Sequence, residues 1–188
     1  MVMPKKGCAD SHASEGHGPE CAGAQAPHPA NSARIDHERS AGVIIYRHCH
    51  NASGGHRPDA QAQCAPEFLL IKSAKGHWDL PKGHVDSQLD RIAALRELQE
   101  ETGIGETAMA SGLEDFYTEI TYTYEDAAGR HPKTVAYFLA KADCDVCLSP
   151  EHTAFRWVGL QDALALVVFP ETQQLLKDAA AVLDRKQC

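Results

Sequence analysis

Within "LPKGHVDSQLDRIAALRELQEETGI", residues 80–104, three glutamates crowd together: Glu97, Glu100 and Glu101. On a helix they take positions i, i+3 and i+4, so their carboxylates project from one side. Like charges at those spacings cost roughly 0.2–0.5 kcal/mol per pair, and near a helix C-terminus the backbone dipole adds to the cost. The arrangement calls for cations. Oxygen-only donors suit a hard ion, magnesium or manganese, and magnesium commonly shares its shell with substrate phosphates. A solvated acidic helix face carries the same letters, and three glutamates alone do not separate the two readings.

The helix that must carry them is expected over about 89–102. Ile92, Ala94, Leu95 and Leu98 give it an apolar side, Ser87 and Asp90 form a capping pattern at its start, and Gly103 supplies a stop. Upstream, "SAGVIIYRHC" reads as a buried strand through Val43, Ile44, Ile45 and Tyr46. The polar loop "HNASGGHRPDAQAQCAP" then leads into a second strand, "EFLLIK". Downstream, "EDFYTEITYTYED" and "HPKTVAYFLAKAD" form a hairpin around "AAGR", with Phe116, Ile120, Tyr122 and Tyr124 on one face. "AFRWVGL" is a further strand, and "LQDALALVV" and "PETQQLLKDAAAVL" are closing helices, the second opened by Pro170.

The 188 residues are expected to form one domain over 40–188. Residues 1–39 contain no Leu, Phe, Tyr or Trp and are read as a disordered tail, unable to offset their ordering entropy by burial. The tail's Cys8, His12, His17, Cys21 and His28 match no common zinc spacing. A net charge of −8 argues against a nucleic-acid partner. No apolar run is long enough to cross a bilayer, and the N-terminus lacks the apolar core of a secretory signal. Seven cysteines without such a signal suggest reduced thiols and a cytoplasmic protein. "CDVC" at 144–147 has redox spacing but no helix start after it, and is read as coincidence.

"RELQEETGI", taken with "KGHV" upstream, resembles the Nudix box, G-x5-E-x7-R-E-U-x-E-E-x-G-U with U aliphatic. The box is met at Gly83, Arg96, Glu97, Leu98, Glu100, Glu101, Gly103 and Ile104. It departs before the helix. Leu89 stands where the first glutamate belongs, and Arg96 comes thirteen residues after Gly83 instead of fourteen. Deleting one residue from that turn puts Gln88 in the glutamate's place, keeping its hydrogen-bonding shape without its charge. Over about residues 40–170, "AGVIIYRHC", "HWDLPKGHV", "PKTVAYFLA" and "LSPEHTAFRWVGLQDA" are similar to the asymmetric diadenosine tetraphosphate hydrolases.

The resemblance implies an α/β protein, an α/β/α sandwich around a mixed sheet. It implies cleavage of diadenosine tetraphosphate to ATP and AMP with magnesium or manganese. Carried over residue by residue, it gives the metal to Glu97 and Glu101, with Glu100 and the Gly83 carbonyl completing the shell. Arg96 then orients the carboxylates, and Glu151 of "SPEH" serves as general base or outer ligand to the ion that acidifies the attacking water. His77, Lys82 and Lys133 are assigned to phosphate, and Tyr122 or Tyr124 to the adenine face. The expected partner is a small-molecule nucleotide, with no nucleic acid, membrane or second subunit. Other readings are a Nudix enzyme for a nucleoside triphosphate, capped RNA or inositol pyrophosphate, and a weakly active or non-catalytic nucleotide sensor.

Overall fold

The computed structural model describes residues 37–48, 65–86, 88–127 and 129–186. The tail with its cysteines and histidines, apart from its last residues, lies outside the described residues, as do the body of the 50–66 loop and the capping residue Ser87. The elements run β1 (Glu38–His48), β2 (Pro66–Ser73), β3 (Trp78–Asp79), β4 (Lys82–His84), α1 (Asp90–Thr102), a short 3-10 turn (Glu106–Ala108), β5 (Met109–Asp126), β6 (Gly129–Ala142), β7 (His152–Gly159), α2 (Leu160–Leu166) and α3 (Pro170–Lys186).

The strands form one mixed sheet in the order β3-β2-β1-β6-β5, with β4 added to β1 and β7 to β2. Only β1 and β6 run parallel among these pairs; the others are antiparallel. Strand β1 is central, and its residues from Ala41 to Tyr46 are buried on both faces, as the run of β-branched side chains predicts. Ala41, Val43 and Ile45 face α1, whereas Ile44 and Tyr46 face α2 and α3. The result is the expected α/β/α sandwich, with the hairpin β5–β6 and the two closing helices where the sequence patterns put them.

Strand β1 starts at Glu38, two residues inside the segment read as tail. Helix α1 starts at Asp90, and its cap position, Leu89, makes no side-chain capping bond. Asp90 takes a two-pronged ion pair from Arg39, 2.9 Å from Nε and 2.5 Å from Nη2. The other end is as expected, with Gly103 in the left-handed region (φ 73°) and its amide bonded to the Gln99 carbonyl.

The apolar side of α1 is the expected one at Ala94, Leu95 and Leu98, with Ala93 taking the place expected for Ile92. Ala93, Ala94 and Leu98 are buried, while Ile92 is 52% exposed. Small alanines let the helix lie close to the sheet, and Glu97 and Glu101 turn inward beside Gly83 and Lys82. The helix's last carbonyls are covered by the 143–151 loop, whose Cys147 and Ser149 amides bond to Thr102 and Glu101. Cys144 and Cys147 are free thiols in that loop.

Candidate active site

Strand β4 brings Gly83 beside Ala41 of β1 and under α1. The carboxylate of Glu97 packs directly on the Gly83 α-carbon, in the space that any β-carbon would fill. One turn on, Glu101 accepts the Lys82 amide at 2.9 Å and faces His152 Nε2 at 3.5 Å. Both carboxylates are well buried, 13% and 14% exposed, whereas Glu100 is 57% exposed. Arg96 binds Glu97 at 2.8 Å, Glu100 at 3.0 Å and the His84 carbonyl at 2.9 Å, tying the helix to the loop.

Burial pushes the Glu101 carboxyl up to about 7; the Lys82 amide and ammonium oppose this, and the charges of Glu97 and Glu151 add to it. Burial also raises Glu97, against the pull of Arg96. Two buried carboxylates held above their ordinary range are short of positive charge. Among the described residues no three His, Cys, Asp or Glu side chains converge as a ready-made metal cluster. Glu100 is turned away toward Arg96. The donor set nonetheless fits a hard divalent ion: all-oxygen ligands, with main chain drawn close because residue 83 has no side chain.

Two clefts open beside these carboxylates and share Asp79, Lys82 and Phe169. The larger, about 370 Å³, adds Tyr122, Tyr124 and Lys133. The smaller, about 200 Å³, adds His77, Glu101 and His152. Lys82 sits at their junction, 2.7 Å from Asp79. Burial lowers its proton affinity, but Asp79 outweighs that and keeps it charged. Tyr122 is half-buried against the core, while Tyr124 presents an exposed ring stacked on His131. His77 contacts Phe169, ring centres 5.8 Å apart. Glu151 is exposed and lines neither cleft; its carbonyl accepts the Ala74 amide.

Thus the structure brings His77, Lys82, Glu101, Tyr122, Tyr124 and Lys133 to the clefts and Glu97, with Arg96 bound to it, onto Gly83, while Glu100 stays exposed on Arg96 and Glu151 lines neither cleft. Four further residues belong here. Asp79 lies three residues before Lys82, a spacing that paired the two without a helix. Phe169 is an aromatic residue 41% exposed just before α3, a position that sequence patterning treats as a mere connection. His152 follows Glu151 in "SPEH"; burial lowers its proton affinity, and its Nδ1 faces the Ser149 hydroxyl at 3.2 Å. Glu38, in the segment read as tail, accepts bonds from Lys133, Tyr124 and His84.

Comparison with known proteins bears on the family and the fold. The NUDIX domain matches residues 59–179. The asymmetrical bis(5'-nucleosyl)-tetraphosphatase of Rattus norvegicus is 40% identical over 146 residues, covering 74% of this chain and 91% of the relative. That of Caenorhabditis elegans is 35% identical over 150 residues, covering 77% and 96%. Among solved structures, a C. elegans Ap4A hydrolase binary complex superposes with a TM-score of 0.64 at 33% identity, covering 78% of this chain and 98% of the other. With a family match over more than half its length, and with the box residues gathered around Gly83, the chain belongs to the Nudix family.

Proposed function

We propose that this protein hydrolyses dinucleoside polyphosphates, cleaving diadenosine tetraphosphate asymmetrically to ATP and AMP. One observation carries the reading: a buried pair of carboxylates, Glu97 and Glu101, adjoins clefts that hold two lysines and two exposed aromatic rings, Tyr124 and Phe169. The relatives named asymmetrical tetraphosphatases support it. Magnesium or manganese, held by Glu97, Glu101 and the Gly83 carbonyl, with Glu100 on Arg96 as an outer ligand, would supply neutralising charge and acidify water.

The chain's own residues do the rest. Lys82 and Lys133, with His77, bind the phosphate chain, which needs cations besides the metal. Tyr124 and Phe169 line one cleft and hold an adenine between them; Tyr122 backs that wall. Arg96 keeps the Glu97 and Glu100 carboxylates in place. Glu151 takes the proton of the attacking water. The water oxygen bonds to the phosphorus fourth from the retained ATP end, the bridging oxygen leaves with ATP, and AMP is released.

The test is chromatography of nucleotides after incubation with diadenosine tetraphosphate and magnesium. ATP and AMP in equal amounts are expected. Two ADP would overturn the point of attack, and preference for a nucleoside triphosphate would overturn the substrate. Binding without any product would make the protein a sensor.

A further inference from the structure

Glu38 opens β1 directly opposite Lys133 of β6. One carboxylate oxygen takes the Lys133 ammonium and also the His84 ring nitrogen at 2.7 Å; the other takes the Tyr124 hydroxyl at 2.7 Å. It is 18% exposed and Lys133 15%, so neither swings freely in solvent. Burial pushes the Glu38 carboxyl up, but its bonds to Lys133 and Tyr124 outweigh that and keep it ionised. Tyr124 and Lys133 both line the larger cleft. Their side chains come from neighbouring strands' ends, and long side chains in such a place lose entropy when they are held. A single carboxylate therefore fixes an aromatic ring and an ammonium on one wall.

An exposed ring beside a cation is the pair that a nucleoside 5'-phosphate requires, the ring for the base and the cation for the phosphate. We propose that Glu38 is a positioning residue, setting Tyr124 and Lys133 at the separation that a nucleotide's base and phosphates demand, and so governing nucleotide affinity without touching the nucleotide. This rests on the nucleotide hydrolase reading above. A carboxylate beside a phosphate-binding lysine would be expected to weaken binding by competing for the charge. The gain lies in preorganisation: a ring and an ammonium already in place need no ordering when the ligand arrives.

The two roles have opposite signs, so variants separate them. Glu38→Ala removes the anchor; Glu38→Gln keeps its one oxygen as acceptor for Lys133 and turns its amide N–H to the Tyr124 hydroxyl, which accepts, but loses the charge. Calorimetric binding of ATP, and KM and kcat for diadenosine tetraphosphate, are measured for both beside the wild type. Expected are an ATP affinity and a KM about tenfold worse in Glu38→Ala, with kcat within about twofold, and Glu38→Gln within about threefold of wild type. Unchanged or tighter ATP binding in Glu38→Ala would overturn the proposal, because Glu38 would then only compete for Lys133. A fall in melting temperature and kcat in both variants alike would also overturn it, leaving a strut between β1 and β6. ATP binding reads Glu38 even if the wild type cleaves no dinucleoside polyphosphate, so the two readings fail separately.

Discussion

The Glu97 carboxylate occupies the space where position 83 would carry its β-carbon. Gly83 is thus needed for contact, since its backbone needs no left-handed conformation. Because the neighbour is the end of a flexible side chain, Gly83→Ala is expected to displace Glu97 at small cost to the fold. Activity should fall by about 100-fold and the metal concentration for half-activation should rise. Kinetics against metal concentration, with a melting curve, check this; full activity would mean that Glu97 is not a ligand.

Glu101 should separate function from stability. Its carboxyl is already pushed toward neutrality by burial, so Glu101→Gln removes a charge that the metal-free fold does not favour. The expected outcome is a kcat lower by about 10³-fold and a melting temperature without metal that is equal or higher. The same comparison with magnesium should show the wild type gaining stability and the variant gaining little.

Phe169 is predicted to work in binding alone. Stacking a base on an aromatic side chain contributes about 1–3 kcal/mol, so Phe169→Ala should raise KM for diadenosine tetraphosphate about tenfold and leave kcat within about twofold. Tyr122, half-buried against the core, should respond differently: Tyr122→Ala is expected to lower the melting temperature as well.

The Arg39–Asp90 pair makes the start of α1 sensitive to acid. Bonds from Arg39 hold the Asp90 carboxyl below its ordinary value, against the opposing effect of burial. A depressed carboxyl stabilises the fold above its unfolded pKa, and that contribution is lost as pH falls through the folded value. Arg39 is 37% exposed, so solvent screens the pair to about 1 kcal/mol. Asp90→Asn should therefore be less stable than wild type at pH 7, and the gap should close in acid, at a pH below the ordinary aspartate range. Urea titrations at both pH values measure it.

Much of this protein was legible in the order of its residues. The strand at Val43–Tyr46, the long hairpin, the glutamate-bearing helix and its Gly103 stop are local patterns, because period and backbone permissiveness act within a few residues. The box letters also named the carboxylates around Gly83. Only the tertiary structure decided which of them turn inward. The close packing of Ala93 and Ala94 on the sheet leaves Ile92 in solvent and buries Glu97 and Glu101; periodicity named Ala94, Leu95 and Leu98 but could not exclude Ile92. Likewise Glu38, Phe169 and His152 join the site from distant segments, through strand register and helix docking that no short stretch encodes. Local pattern makes the elements; their packing against one another chooses the side chains that meet.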